Sequence, residues 1–265
     1  MRTLLILLIS IIALPMFSQD DQNNTYLHFQ WVSVDNEQEW DYGATEKFWE
    51  NIHAERVKNG DLLGWDLWSL QPHGEDQNFQ YLIVMVYDDP VKMLDGSAWG
   101  GLMDAARAAY PGKSDFDLTS KMRSSSKTRD LGVDAYLTLV AGTDGDFDMP
   151  VGTVSRINLM KVDQENAGDY VKAETEIFQP MHQTSVDAGR RGSWGLAAVM
   201  IPWGTDVYAN YYTFDMYENY AQMFSEYDGG DGPDEETQKK MNEALELREL
   251  KWGLMGTLIR KVRKE

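Results

Sequence analysis

The 265-residue sequence contains no cysteine and only four histidines. The missing thiols exclude a disulfide framework, a thiolate metal site and a cysteine nucleophile. Basic side chains are also scarce: 24 lysines and arginines stand against 43 aspartates and glutamates, for a formal net charge of −19. A protein of this charge repels phosphate backbones and anionic lipid, so neither nucleic-acid binding nor a membrane-surface role is expected. The charge favours solubility, with cation binding as the alternative.

Long hydrophobic runs are missing as well. The N-terminal run LLILLISIIAL, residues 4–14, is too short to span a bilayer. It follows Arg2 and precedes small or polar residues around Ser18, an arrangement typical of a secretory signal peptide. We therefore expect residues 1–19 to be removed and the mature protein to be exported, to the periplasm or beyond, without membrane insertion. The full sequence is 43% apolar and 12% aromatic. The mature chain is long enough to bury a large core.

The rest of the chain repeats one pattern of elements. Alternating and helical hydrophobic periodicity predicts the order β-α-β-β-α-β in residues 20–148 and again in residues 149–265. In the first half the predicted elements are residues 25–34, 46–60, 62–70, 79–89, 90–109 and 133–142. In the second half they are residues 153–162, 165–189, 191–202, 207–219, a helix after Asp234, and residues 254–262. The shared order of the elements and the length of the repeated pattern together indicate an internal duplication.

A spaced motif supports the repeat. A histidine is followed after seven residues by glycine and after five more by tryptophan, first as His53, Gly60 and Trp65 and again 129 positions later. The second copy is His182, Gly189 and Trp194. A glycine directly after a helix supplies a left-handed cap, so the motif predicts the end of a helix and the start of the next strand.

The order β-α-β-β-α-β is that of the ferredoxin-like unit, a four-stranded antiparallel sheet with both helices on one face. On this order and the H-x6-G-x4-W spacing, the chain resembles the dimeric α+β barrel superfamily, particularly its tandem-repeat members similar to NIPSNAP and EthD proteins. The resemblance implies an α+β fold in which two fused ferredoxin-like repeats pack sheet to sheet as a pseudo-dimeric barrel. The superfamily includes cofactor-independent oxygenases, isomerases and haem-handling enzymes, so membership does not select a reaction.

Strand alternation then predicts a site. If Leu27, Phe29 and Trp31 face the helices, the opposite face of each sheet looks into the barrel. That predicted inner face collects His28, Gln30, Tyr81, Arg156, Asn158, Tyr211 and Asp215. An apolar cleft with a few convergent polar groups is typical of a small-molecule site, in which Arg156 would bind a carboxylate or enolate oxygen. In the alternative, Arg156 pairs with Asp215 inside a filled barrel.

The two repeated histidines are secondary candidates. His53 and His182 each follow an aromatic residue by four positions, which places them beside a packed stripe, and Trp65 and Trp194 begin the next strand. Packing explains all four residues; for the two histidines, the alternative is a role as an axial haem ligand or a general base. Because the two helices are separate, no shared metal site is predicted.

The sequence therefore predicts an exported acidic protein that binds a small, mostly apolar molecule in the barrel between its two sheets. Cofactor-independent oxygenase or isomerase activity fits the resembled superfamily. The first alternative is a non-catalytic interaction protein with a filled barrel, and the second is a haem-handling protein. No cofactor is predicted, and oligomerisation is compatible with the sequence.

Overall fold

Eight antiparallel strands close into one barrel in the order β1-β3-β2-β8-β5-β7-β6-β4. The structure, a computed structural model, describes residues 25–74, 77–226 and 232–264. The strands are β1 (Tyr26–Ser33), β2 (Gly64–Gln71), β3 (Tyr81–Tyr87), β4 (Asp130–Gly142), β5 (Val154–Lys161), β6 (Ser193–Ile201), β7 (Tyr211–Tyr217) and β8 (Glu249–Arg263). The predicted signal peptide, residues 1–19, lies outside the described residues. Within the described part, no helix is long and apolar enough to cross a membrane.

Each half of the barrel has the strand order of a ferredoxin-like unit. The first half runs β4-β1-β3-β2 and the second runs β8-β5-β7-β6, and the halves join through the β2–β8 and β4–β6 pairs. The register also repeats, because Tyr26 lies opposite Tyr87 in the first half and Val154 opposite Tyr217 in the second. The predicted α+β barrel of two ferredoxin-like units is confirmed.

The helices cover the outside of the two sheets. In the first half they are α1 (Glu39–Asn59), α2 (Pro90–Asp95), α3 (Leu102–Ala109) and α4 (Asp115–Ser124). In the second half they are α5 (Ala167–Ala173), α6 (Gln179–Asp187), α7 (Tyr220–Ser225) and α8 (Glu235–Leu245). A π-helical turn, Glu174–Phe178, joins α5 to α6. Gly60 and Gly189 follow α1 and α6 with φ of 81° and 68°, as expected of left-handed caps.

The predicted assignment of the sheet faces is wrong. Phe29 lies 5.8 Å from Tyr212 and 5.6 Å from Phe214, measured between ring centroids, so rings from opposite sheets meet inside the barrel. The alternate residues, including His28 and Gln30, therefore lie on the outer faces of the sheets. The reason is that this fold buries both faces of its strands, so an apolar face does not identify the helix side.

The middle of the barrel is packed with side chains from all eight strands. They are Phe29, Trp31, Trp68, Leu70, Leu82, Val84, Ala135, Leu137, Ile157, Leu159, Ala197, Tyr212, Phe214, Leu254 and Leu258. Cavities of about 360 and 130 Å³ remain at the two ends. An eight-stranded barrel is narrow enough for side chains to fill it, and here they do so at its centre.

Candidate functional site

A cavity of about 400 Å³ lies between the outer face of the second sheet and the helix that contains the π-helical turn. The sheet contributes mainly polar side chains, and the helix contributes Phe178 and Met181 together with the polar Glu174, His182 and Ser185. The lining residues are Arg156, Asn158, Met160, Glu174, Phe178, Met181, His182, Ser185, Arg191, Trp194, Thr213, Asp215, Glu226, Met241 and Arg248. The cavity therefore combines several apolar side chains with a cluster of charges.

Three predicted binding residues and two of the secondary candidates meet in this cavity. Arg156, Asn158 and Asp215 share one face of the second sheet, as predicted from alternation, and His182 and Trp194 lie beside them. Asn158 donates from its amide to Thr213 at 3.2 Å and to Asp215 at 3.4 Å. The face they share is the one under the helices, which corrects the predicted location inside the barrel.

The other predicted binding residues lie elsewhere. His28 stacks on Tyr136 at 4.3 Å, and its Nε2 lies 2.5 Å from a carboxylate oxygen of Asp134. Gln30 lies on the same outer face of the first sheet, opposite Ile83 in the register. Two tyrosines pack against tyrosines of the first helix in each half: Tyr81 on Tyr42 at 4.6 Å and Tyr211 on Tyr170 at 4.9 Å. None of these four lines the cavity under the π-helical turn.

Arg191 organises the charges of the cavity. Its guanidinium lies 2.5 Å from Asp215 and 3.0 Å from Glu226, and Tyr217 donates its hydroxyl to Glu226 at 2.6 Å. Burial raises the pKa of the Asp215 carboxyl, although Arg191 and Arg156 oppose the rise. Burial acts in the same direction on Glu226, but the hydrogen bonds from Tyr217 and Arg191 outweigh it and lower that pKa. The result is a buried network in which one guanidinium holds two carboxylates.

His182 is held as a neutral imidazole. Arg191 donates to its Nδ1, and its ring stacks on Trp194 with centroids 4.8 Å apart. Burial, together with the charge of Arg191, lowers the pKa of His182 to about 3. Because a guanidinium can only donate, Nδ1 is the acceptor and the proton of the neutral ring lies on Nε2.

The first half repeats this histidine arrangement without the cavity charges. Arg56 donates to Nδ1 of His53 at 3.1 Å, and the His53 ring lies between Trp49, at 5.7 Å, and Trp65, at 5.3 Å. Both copies of the H-x6-G-x4-W motif thus place a histidine against the tryptophan of the following strand. The stack accounts for the repeated spacing.

A second repeated cluster was missed in the sequence. On the first helix of each half, a tyrosine and a glutamate four residues later lie buried. Each pair contacts the arginine that directly precedes the last strand of its half. The members are Tyr42, Glu46 and Arg129 in the first half and Tyr170, Glu174 and Arg248 in the second. The Arg–Glu distances are 3.3 and 3.8 Å, and burial raises the pKa of both glutamates. The repeated letters DY-x3-E and R-acid-L carry this cluster.

The π-helical turn marks a one-residue difference between the halves. Tyr42 and Glu46 match Tyr170 and Glu174 at an offset of 128, whereas His53 matches His182 at 129. One extra residue therefore lies between the glutamate and the histidine of the second helix, and Glu174–Phe178 is where the helix widens. Such turns occur mostly as single insertions in α-helices and frequently at functional sites.

Smaller and more polar residues also open the second half. Thr213 and Asp215 occupy the positions of Ile83 and Met85, which pack in the core beneath α1. Ser185 stands 129 positions after Arg56, whose guanidinium lies 3.9 Å over the ring of Trp99. The matching volume of the first half is thus filled, while that of the second half is open.

Deleting the exposed Glu176 is expected to convert the π-helical turn into regular α-helix, as in α1, and to shrink the cavity. The free energy of unfolding, measured in urea, should change by about 1 kcal/mol or less, because α1 already shows the helix without the insertion. Deleting the exposed Lys47 from α1 is the matched control, and it should destabilise strongly because it rotates His53 away from Trp65. Equal destabilisation by the two deletions would contradict this account.

Comparison with known proteins extends the assignment of the fold. No family model and no curated protein matches the sequence. A candidate monooxygenase from Fusobacterium nucleatum has a TM-score of 0.58 at 10% identity, over 92% of this chain and 96% of its own. A candidate monooxygenase from Lactobacillus acidophilus has a TM-score of 0.54 at 11% identity, over 91% and 97%. A candidate chlorite dismutase has a TM-score of 0.50 at 9% identity, over 89% and 95%. The chain therefore shares the α+β barrel fold of these proteins, and at such identities the likeness shows the fold alone.

Proposed function

We propose that the protein binds a small molecule with a mostly apolar body and one acidic group in the cavity under the π-helical turn. The observation that carries the proposal is the composition of that cavity. Phe178 and Met181 line it from the helix, while Arg156 and Asn158 line it from the sheet. The apolar side chains provide contacts for the body of the ligand, and the polar groups fix its orientation.

Arg156 is the proposed partner of the acidic group. A guanidinium binds a carboxylate through two parallel hydrogen bonds, which fixes both the position and the plane of the ligand. Arg191 bonds Asp215 and Glu226 and so holds those two carboxylates in place beside the proposed site. Asn158, beside Arg156 on the same strand face, donates to Thr213 and Asp215 and so fixes the polar surface next to the bound group.

Proton transfer on the bound molecule is a second candidate function, as in an isomerase or a cofactor-independent oxygenase. The candidate monooxygenases that share the fold agree with this class. The specific observation in its favour is Glu174, a cavity carboxyl whose pKa is raised by burial, because a base with a raised pKa accepts protons more readily. Glu174→Gln should abolish exchange of ligand carbon-bound hydrogen for solvent deuterium. Glu46→Gln, in the matching cluster, should leave the exchange intact.

Haem does not fit the two helix histidines. An axial imidazole presents a bare nitrogen to the iron and donates from its other nitrogen to a carbonyl or carboxylate. In His53 and His182 the relation is reversed, because Nδ1 accepts from an arginine and Nε2 carries the proton. Haem chemistry is therefore not part of the proposed function.

Native mass spectrometry of gently purified protein tests the binding proposal. The wild type is expected to carry a small-molecule adduct, and Ser185→Met, which extends an apolar side chain into the cavity, should lose it. Arg156→Gln should weaken binding of the identified ligand at least tenfold. His28→Gln changes the matching strand position of the first half and should not affect it. Unchanged affinity in Arg156→Gln would contradict the role of that residue.

Export is proposed on the N-terminal sequence alone. Arg2 followed by the apolar run of residues 4–14 is the observation that supports it. N-terminal sequencing of the protein from its native host should begin close to residue 20. A mature chain that begins at Met1 would contradict export by this route.

A further inference from the structure

The larger cavity at the barrel end lies between equivalent positions of the two halves. Trp31 lies opposite Val133 in the β1–β4 register, and Leu159 lies opposite Trp252 in the β5–β8 register. All four side chains line the same cavity of about 360 Å³. The approximate twofold axis that relates the halves therefore passes through this cavity.

The hydrogen bonds at the start of the third strand of each half extend the match. Gln80 accepts from the backbone of Val34 at 2.8 Å, and Asn210 accepts in the same way from Val162 at 2.9 Å. The residues just before them, Phe79 and Ala209, are therefore equivalent, and both line the cavity.

At each equivalent pair, one side chain is aromatic and the other is aliphatic. The pairs are Trp31 with Leu159, Trp252 with Val133, and Phe79 with Ala209. The three aromatic members cluster, with ring centroids 5.7 Å apart for Trp31 and Trp252, 5.8 Å for Trp31 and Phe79, and 6.1 Å for Phe79 and Trp252. The departure from symmetry thus creates one aromatic wall and leaves space where the aliphatic members lie.

Among the residues that the structure describes, the lining contains no aspartate, glutamate, lysine, arginine or histidine. A charged ligand would lose its hydration here without gaining a partner, which is costly, so the cavity selects for a neutral ligand. The polar groups of the cavity include Asn78 and Tyr208, and the Tyr208 hydroxyl donates to the Lys251 carbonyl at 2.8 Å. Tyr208 is 57% exposed, which places it where the cavity meets solvent.

The size also suits a ring system. An apolar cavity of roughly 150 Å³ stays dry and binds benzene, so a cavity more than twice that size has room for two fused or linked rings. The opposite end of the barrel does not qualify, because its cavity is about 130 Å³ and is bordered by Met149 and by the Asp66–Arg263 ion pair.

We propose that this end of the barrel is a second binding site, separate from the cavity under the π-helical turn, for a small neutral aromatic molecule. The ligand lies against the aromatic wall of Trp31, Phe79 and Trp252. Offset stacking or edge contacts with these rings add to the burial of its apolar surface. The space it occupies is the space that a second phenylalanine would fill at position 209.

Fluorescence titration with the neutral probe N-phenyl-1-naphthylamine tests the site. The wild type is expected to bind one probe molecule, with enhanced emission. Ala209→Phe, which installs the counterpart of Phe79, should weaken binding at least tenfold. Val133→Trp fills the same space from another strand, and it replaces the first variant if that one does not fold.

Ser185→Met, which fills the other cavity, is the matched control and should leave probe binding unchanged. In Ser185→Met, where the other cavity is filled, the anionic probe 1-anilinonaphthalene-8-sulfonate should bind at least tenfold more weakly than the neutral one. Full binding in both barrel-end variants would overturn the proposal, as would loss of binding in Ser185→Met alone. These outcomes are independent of the adduct measured by native mass spectrometry.

Discussion

Replacing Arg191 with methionine is expected to lower the free energy of unfolding by about 3–5 kcal/mol at pH 7. The guanidinium is buried and lies 2.5 Å from Asp215 and 3.0 Å from Glu226. Its removal leaves two carboxylates in a poorly hydrated site without a counter-charge, and that penalty exceeds the loss of a hydrogen bond. Urea unfolding followed by tryptophan fluorescence measures the change.

Arg107→Met is the matched control. Arg107 also contacts two carboxylates, Asp104 at 2.6 Å and Asp115 at 2.7 Å, but on the surface. Solvent screening makes such exposed pairs weak, so this variant should unfold almost as the wild type does. Equal losses of unfolding free energy in the two variants would show that the buried network stabilises the fold no more than the exposed ion pairs of Arg107 do.

Acid should partly rescue Arg191→Met. Burial raises the pKa of Asp215, and removing Arg191 takes away the charge that opposes the rise. A carboxyl whose folded pKa lies above its unfolded value favours folding at low pH and loses that contribution as the pH rises through the folded pKa. The difference in unfolding free energy between wild type and variant should therefore shrink from pH 7 towards pH 5. A difference that grows on acidification would contradict this assignment.

The fold was predictable because the order and the lengths of the predicted elements largely determine it. Strand alternation and helix caps such as Gly60 and Gly189 fix the order of elements, and two copies of β-α-β-β-α-β leave few ways to bury both sheets. Which face looks inward was not predictable by the same reasoning. Ile83 and Met85 are as apolar as Leu82 and Val84, because helices cover one face and the opposite sheet covers the other.

The site was predictable in part. Alternation correctly grouped Arg156, Asn158 and Asp215, since a shared face depends on parity and not on which side is inside. Arg191 was missed because the predicted strand of residues 191–202 includes it, whereas in the structure it lies in the turn before β6, where strand alternation does not fix the direction of a side chain. The π-helical turn was missed because the evidence for it is a change, within one helix, in the offset between matching residues of the two halves, from 128 to 129. Only a residue-by-residue match of the halves reveals that change.

Acidification of the wild type is expected to lower its free energy of unfolding, because the fold holds its buried histidines in the neutral form. The pKa of His182 is lowered from 6.5 to about 3 by burial and by the nearby Arg191 charge. A histidine with a lowered folded pKa contributes its full stability above the unfolded pKa of 6.5 and loses it as the pH falls towards the folded value. At about 1.4 kcal/mol per unit, a depression of this size amounts to about 4–5 kcal/mol by pH 3.

The histidine contribution can be separated from that of the carboxyls. Glu174 and Asp215 have raised pKa values and act in the opposite direction, stabilising the fold as the pH falls. The comparison of wild type with His182→Gln cancels them to first order. Between pH 7 and pH 4 the variant should lose less unfolding free energy than the wild type, by about 1.4 kcal/mol for each unit below 6.5. His53→Gln should flatten the profile in the same sense, because burial also lowers the pKa of His53. Parallel profiles for wild type and both variants would show that the two imidazoles become protonated without opposing the fold.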